Sequence, residues 1–218
     1  MGAGKGKSGR RPVRPKAGTG VPVMAVVAGA IVSVLTIALI VLIVYLQRPQ
    51  SGPAAVSGIP CDNLEHTQVH YHAALQILYY GTPTNLRDNT GIQLNSSGSV
   101  SCYYWLHVHA TQKNIVHIES PASQTFTLGQ FVDVANQWSN SNGYGSIKLD
   151  SSHVATFTLQ PGDKIVTYID LGDGKGPTLF AGDPRTIQLK SHEVITVEIV
   201  KAGDKETTPP GFSFPSGL

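Results

Sequence analysis

The longest apolar stretch of the chain runs from Val23 to Leu46 and carries no charged residue. As a helix it is long enough to cross a hydrocarbon core of about 30 Å. "QRPQSGPAAVSG" (47–58) then breaks the pattern with Pro, Gly and small residues, as a linker does. Beyond Cys61 the apolar positions fall into short runs of strand period. "QVHYHAALQILYY" (68–80) ends at the turn "GTPTN". "SCYYWLHVHA" (101–110) and "NIVHIES" (114–120) flank the connector "TQKN" and predict a hairpin. "HVATFTLQ" (153–160), "KIVTYIDL" (164–171), "RTIQL" (185–189) and "VITVEIV" (194–200) are further strands, punctuated by "PGD" and "GDGKG". One segment differs. "TFTLGQFVDVANQW" (125–138) places Thr127 before Leu128, Phe131, Val132 and Ala135, which is helical spacing.

The expected fold is therefore mostly β (α+β): an antiparallel β-rich outer domain with one packed helix, preceded by a single N-terminal transmembrane helix. The segments expected are a basic cytosolic tail (1–22), a transmembrane signal anchor (23–46), a linker (47–60), a β-rich extracytoplasmic domain (61–200) and a Pro-rich C-terminal tail (201–218).

Charge gives the anchor a direction. Up to residue 48 there are seven basic residues and no acidic one, whereas all fourteen acidic residues lie from Asp62 onward against nine basic ones. The positive-inside bias places the N-terminus in the cytosol and the acidic remainder outside a cell membrane. The basic tail suits anionic lipid headgroups, and an acidic folded part argues against nucleic acid. A cleaved secretory signal is the competing reading. Its only small-residue site is the late "PAAVSG" (53–58), and the apolar run exceeds an ordinary signal core. Arg10-Arg11 lacks the apolar pair of a twin-arginine signal, and "GKS" (6–8) lacks the strand and glycine of a phosphate loop.

Cys61 and Cys102 both fall on the outer side. An even pair in an oxidising compartment is expected to form a disulfide, the alternative being two buried thiols. "NSS" (95–97) is a glycosylation sequon only in a eukaryotic secretory pathway, and "DLGDGKG" (170–176) reads as a turn rather than a calcium loop.

Six of the eight histidines lie between His66 and His117. In a strand, residues two apart share a face, so His70 pairs with His72 and His107 with His109. His117 joins the second pair only if the hairpin register is centred on Gln112, which sets it opposite His107; a one-residue slip would turn it away. In that register His70, His72, His107, His109 and His117 converge, with Glu65 and His66 just upstream and Glu119 on the face of His117. Three histidines with an open position suit tetrahedral zinc, and five or six suit two ions. The only methionines are Met1 and Met24, and bridged cysteines offer no thiolate. Zn(II) or Cu(II) is thus the expected cofactor, rather than Cu(I) or a blue-copper centre. His153 and His192 stand apart as ordinary surface histidines.

The outer domain resembles an uncharacterised family of membrane-anchored prokaryotic proteins with paired H-x-H strands. The likeness is carried by Cys61, the H-x-H strand, "CYYWLHVHA…IVHIESP", "FTLGQFVDV", "IQLKSHEVITVEI" and "FSFPSGL". His70, His72, His107, His109, His117 and Glu119 are the matching positions. Ala110 and Lys113-Asn114 stand where the family pattern has an Asp and a Ser-Gly. The resemblance implies a shared extracytoplasmic histidine-bearing domain and no particular reaction.

Three readings follow. The first is a membrane-anchored protein that binds, delivers or senses a divalent metal. The second is a zinc-dependent hydratase or hydrolase in which His107, His109 and His117 hold the ion and Glu119 or Glu65 serves as base. The third is an interaction module without metal, and the sequence names no protein partner.

Overall fold

The computed structural model describes Gly20, residues 23–46 and residues 53–218; the rest of the expected basic tail and the first part of the expected linker lie outside the described residues. Two units are distinct, Met1–Gln50 and Ser51–Leu218. In the first, Val23–Leu46 forms helix α1. Its window Val23–Val44 has mean hydropathy 3.0 and no buried residue, so it is long and apolar enough to cross a membrane.

The second unit is β-rich. Its elements are β1 (Cys61–Asp62), β2 (Val69–Tyr79), β3 (Thr82–Thr84), β4 (Ile92–Leu94), β5 (Val100–Tyr104), β6 (Leu106–His107), β7 (Ile115–Ser120), helix α2 (Leu128–Ser141), β8 (Lys148–Asp150), β9 (His153–Ala155), β10 (Phe157–Thr158), β11 (Lys164–Asp170), β12 (Thr178–Phe180) and β13 (Val194–Val200). The main sheet runs β12-β11-β13-β2-β7-β6, with β3 on the second half of β2. Two small sheets, β1-β5-β4 and β10-β9-β8, accompany it. All pairs are antiparallel except β2 with β13, which run parallel. Every residue of β13 is buried, the condition under which parallel pairing is found.

Period two divides the main sheet cleanly. Ala73, Leu75 and Ile77 of β2, Val116 and Ile118 of β7, Leu106 of β6 and Ile195, Val197 and Ile199 of β13 join one core cluster. α2 closes that core with Leu128, Phe131, Val132, Val134 and Ala135. Its start is set by a capping box: the Thr127 hydroxyl accepts from the Gln130 amide, and the Gln130 side chain accepts from the Thr127 amide. The residues between the core positions, His72, His117 and His107 among them, therefore face the other side of the sheet.

Three expected strands are different in the fold. "SCYYWLHVHA" is two strands in two sheets, because the chain crosses from β5 to β6 at Trp105. "HVATFTLQ" breaks at Ala155, whose φ of 54° no strand interior adopts. "RTIQL" begins as a 3-10 turn, Pro184–Thr186, and then makes only one bridge, Gln188 to Thr127. Pro184 pre-sets the turn, and the Asp183 carboxylate accepts from the Arg185 amide.

Two joins hold the β5–β6 crossing. Cys61 and Cys102 are disulfide-bonded, with Cα atoms 5.4 Å apart. Gly91 accepts from the Tyr104 amide, and Thr90 accepts from the Val108 amide. Gly91 has a φ of +82°, and a Cβ there would lie 2.7 Å from the Leu106 carbonyl oxygen and 3.1 Å from the His107 Cβ. Both facts require glycine. Gly91→Ala is expected to cost about 1–3 kcal/mol, read as a lower urea midpoint at unchanged slope; an unchanged midpoint would show that the crossing does not need the close approach.

Both ends of the domain are tied down. Ile59 is buried in the core, and the Ser57 hydroxyl donates to Asp133 at 2.6 Å, so this end of the expected linker packs on the domain. Residues 201–218 form no regular element, yet Pro209 is buried and the His192 ring donates to the Leu218 carbonyl at 2.8 Å.

Candidate metal centre

The register required for convergence is the one the hairpin adopts. His107 of β6 pairs with His117 of β7, and His117 pairs in turn with His72 of β2. Three histidines thus form a row across three adjacent strands, where directly opposed Cβ atoms stand about 4.5–5.5 Å apart. His70 is set opposite Glu119 by the same ladder. His109, just beyond β6, and Glu65, in the loop before β2, complete the group. His72, His107, His117 and Glu119 are buried, whereas His70, His109 and Glu65 reach solvent. Glu65, His70, His72, His109, His117 and Glu119 line an open depression of about 520 Å³, and His107 forms part of the protein beneath it.

Partners behind the rings fix which nitrogen faces inward. His107 Nδ1 lies 2.8 Å from the Tyr104 carbonyl, which can only accept, so Nδ1 carries the proton and Nε2 presents a lone pair. His117 Nε2 donates to Gln112 Oε1, which leaves Nδ1 bare and directed inward. This is the arrangement of metal-ligating histidines, whose second nitrogen is held by a carbonyl or carboxylate.

The inward atoms crowd together. His107 Nε2 and His109 Nε2 are 3.2 Å apart, and Glu65 Oε1 lies 3.6 Å from the first and 3.1 Å from the second. His70 Nε2 lies 3.1 Å from His72 Nε2 and 3.3 Å from Glu119 Oε1. His117 Nδ1 stands 3.4 Å from Glu119 Oε1. Tetrahedral zinc with bonds of 2.0–2.1 Å needs donors about 3.3 Å apart. Among the described residues, two buried side-chain atoms have no hydrogen-bond partner, His117 Nδ1 and Glu119 Oε2. An orphaned acceptor in a buried site costs about 1–3 kcal/mol, and a cation between these atoms would remove that cost.

Protonation favours a cation as well. Burial first, then the neighbouring His117 and His70 rings, lowers the His72 pKa to about 4. Burial also lowers those of His109 and His117, with adjacent rings adding to it. The His107 ring beside Glu65 holds that carboxyl below its ordinary range. Burial opposes ionisation of Glu119, but the His117 and His107 rings outweigh it and the net direction is down. At neutral pH these shifts favour neutral rings at His72, His109 and His117 and ionised carboxylates at Glu65 and Glu119, the forms that bind metal.

A histidine whose folded pKa lies below its unfolded value binds protons more weakly when folded. Its contribution to stability is complete above the ordinary value of 6.5 and is lost as pH falls toward about 4. The metal-free protein is thus expected to lose stability in urea between pH 7 and pH 4.5, and His72→Asn to flatten that slope. A slope unchanged in the variant would place the pH dependence elsewhere.

The remaining histidines lie outside this group. His66 Nε2 sits 2.6 Å from Asp62, whose carboxylate also accepts from Trp105 Nε1, so it belongs to the β1 corner rather than the cluster. His153 contacts Asp150 and Ser152 at the turn between β8 and β9. His192 is close by through its backbone, its amide donating to the His72 carbonyl, but its ring turns to Leu218. A larger depression of about 640 Å³, beside Phe180 and Arg185, holds no histidine. Gln112 and the Tyr104 carbonyl were invisible as site components in the sequence: one sits in a connector, and the other is backbone.

Comparison with known proteins gives the chain no relatives: no family model, no curated protein and no solved structure matches it.

Proposed function

We propose that this protein is anchored in the cell membrane by α1, displays its β-rich domain on the extracytoplasmic side, and there binds a divalent cation, Zn(II) or Cu(II), through the histidine–glutamate cluster. The observation that carries the reading is the pair of buried atoms without partners, His117 Nδ1 and Glu119 Oε2, in a site whose other donors also point inward. The bridged cysteines support an oxidising compartment, and the seven basic residues before residue 49 support a cytosolic N-terminus. Donors of imidazole and carboxylate type, with no thiolate or thioether, favour Zn(II) or Cu(II) over Cu(I).

The test uses the full chain purified in detergent. Elemental mass spectrometry after Zn(II) loading and dialysis should find bound zinc, and His107→Ala/His109→Ala should lose part or all of it. Loading should also raise the thermal midpoint, because a ligand at 100 times its Kd stabilises by about 2.7 kcal/mol. Absence of bound Zn(II) and Cu(II) after loading would sink the reading and leave a polar interaction module.

One observation favours a second reading, a zinc-dependent hydratase or hydrolase. The cluster opens into a depression of about 520 Å³, with Glu65 partly exposed beside it, so an ion there would remain accessible to a substrate. Glu65 or Glu119 would then serve as base or orienter. Turnover of an activated ester or of carbon dioxide by the zinc-loaded chain, absent from the metal-free chain, would support it.

A further inference from the structure

Seven donor side chains are more than one small ion can use. Six of the seven fall into two groups, His107, His109, His117 and Glu119 in one and His70, His72 and His117 in the other, each with its atoms within 4.8 Å of one another, and Glu65 stands beside the first. Only His117 belongs to both. A single ion with bonds near 2.1 Å spans donors at most about 4.2 Å apart and in tetrahedral geometry takes four of them, fewer than the seven side chains present. Two triangular faces, each of three donors drawn across those groups and Glu65, have edges of nearly tetrahedral length. Glu65 Oε1, His107 Nε2 and His109 Nε2 make one, with edges of 3.1, 3.2 and 3.6 Å. His70 Nε2, His72 Nε2 and Glu119 Oε1 make the other, with two edges of 3.1 and 3.3 Å.

Glu119 lies between the faces. Its Oε1 is 3.3 Å from His70 Nε2, 3.4 Å from His117 Nδ1 and 4.0 Å from His107 Nε2. Its Oε2 is buried and has no partner. A carboxylate with one oxygen directed at histidines of both faces and the other unclaimed has the donor capacity of a bridge. Composition agrees: Glu65 stands on one face and Glu119 on the other, so each ion has a carboxylate among its donors. We infer that the cluster is a dinuclear centre holding two divalent cations side by side, one on Glu65, His107 and His109, the other on His70 and His72, joined by the Glu119 carboxylate with His117 between them. This rests on the metal-binding reading above and goes beyond it by fixing the number of ions and the bridging group.

Stoichiometry and magnetic coupling test it together. Equilibrium dialysis of the full chain in detergent against Zn(II) should give two bound equivalents. His70→Ala/His72→Ala and His107→Ala/His109→Ala should each keep one. The partly exposed His70→Gln serves as a milder check that folding is intact. Loaded with Cu(II), the wild type should show an electron paramagnetic resonance signal well below that expected from its copper content, because neighbouring ions couple through the bridge. Either double variant should restore the full signal per copper, and Glu119→Gln should weaken the coupling. One equivalent in the wild type would overturn the dinuclear centre while leaving metal binding intact. Two equivalents with uncoupled signals would overturn the bridge. No bound metal in any form would overturn both readings at once.

Discussion

Replacing His117 with leucine is expected to weaken Zn(II) binding by on the order of 100-fold or more, while the metal-free protein melts no lower than wild type. The first part follows from position. His117 is the middle of the row His72–His117–His107 and is common to both donor groups, so no other single residue touches as much of the site. A structural zinc site of four ligands is worth about 10–16 kcal/mol in total, and one ligand's share is several kcal/mol. The second part follows from the empty state. His117 Nδ1 is buried and unpaired, so the metal-free fold already carries the cost of an orphaned polar atom. An apolar side chain of similar volume removes that cost, at the loss of one bond to Gln112. Dialysis against Zn(II) and a thermal scan of the chelated protein measure the two halves. A large drop in the metal-free midpoint with no change in zinc affinity would mark His117 as a structural residue. Gln112→Ala is the companion variant, expected to lower affinity by about 10–100-fold through loss of the group that aims the ring.

Loss of the disulfide is the second large effect. Cys61 and Cys102 close a loop spanning a sequence separation of 41, for which the chain-entropy relation gives about 4 kcal/mol of stabilisation. Domains of this size are stable by about 5–15 kcal/mol, so the bridge is a large fraction of the whole. Its place in the fold adds a local consequence. It joins β1 to β5 just before the chain crosses to β6 and delivers His107. Asp62, next to Cys61, also holds the Trp105 indole at 2.7 Å at the crossing itself. Cys61→Ser/Cys102→Ser is therefore expected to shift the urea midpoint sharply downward and to weaken zinc binding, with a reductant reproducing both in the wild type. An unchanged midpoint would show that β1 docks on β5 without the covalent link.

Much of this was legible in the chain by itself, and it was legible where the physics is local. An apolar run without charge predicts α1 because length and composition alone decide whether a helix suits a membrane. Thr127 followed by apolar residues at helical spacing predicts α2 because a cap and a stripe are properties of one segment. The H-x-H pairs predict shared faces because strand period is fixed by backbone geometry. Strands failed where tertiary contact overrides propensity. "RTIQL" has strand composition, but Pro184 and Asp183 set a 3-10 turn, and Ile187 and Leu189 are buried beside α2 without a ladder. "SCYYWLHVHA" reads as one strand, and only the pairing of β5 with β1 and β4 and of β6 with β7 shows that it serves two sheets.

The site divides along the same line. The sequence alone established an apolar segment long enough to cross a membrane, a β-rich domain with one helix, two cysteines able to pair, and histidines in pairs able to share faces. Whether those pairs meet was beyond it, since one residue of slip between β6 and β7 would turn His117 into the core. The tertiary structure decided that register, placed β7 between β2 and β6, brought Glu65 and Glu119 to the rings, and left His66 with Asp62. It also supplied what no residue pattern encodes, the Tyr104 carbonyl and the Gln112 amide that choose which nitrogen faces inward. The physical reason is range. Periodicity and capping are set by neighbours along the chain, whereas a metal centre is set by groups far apart in sequence that packing brings together.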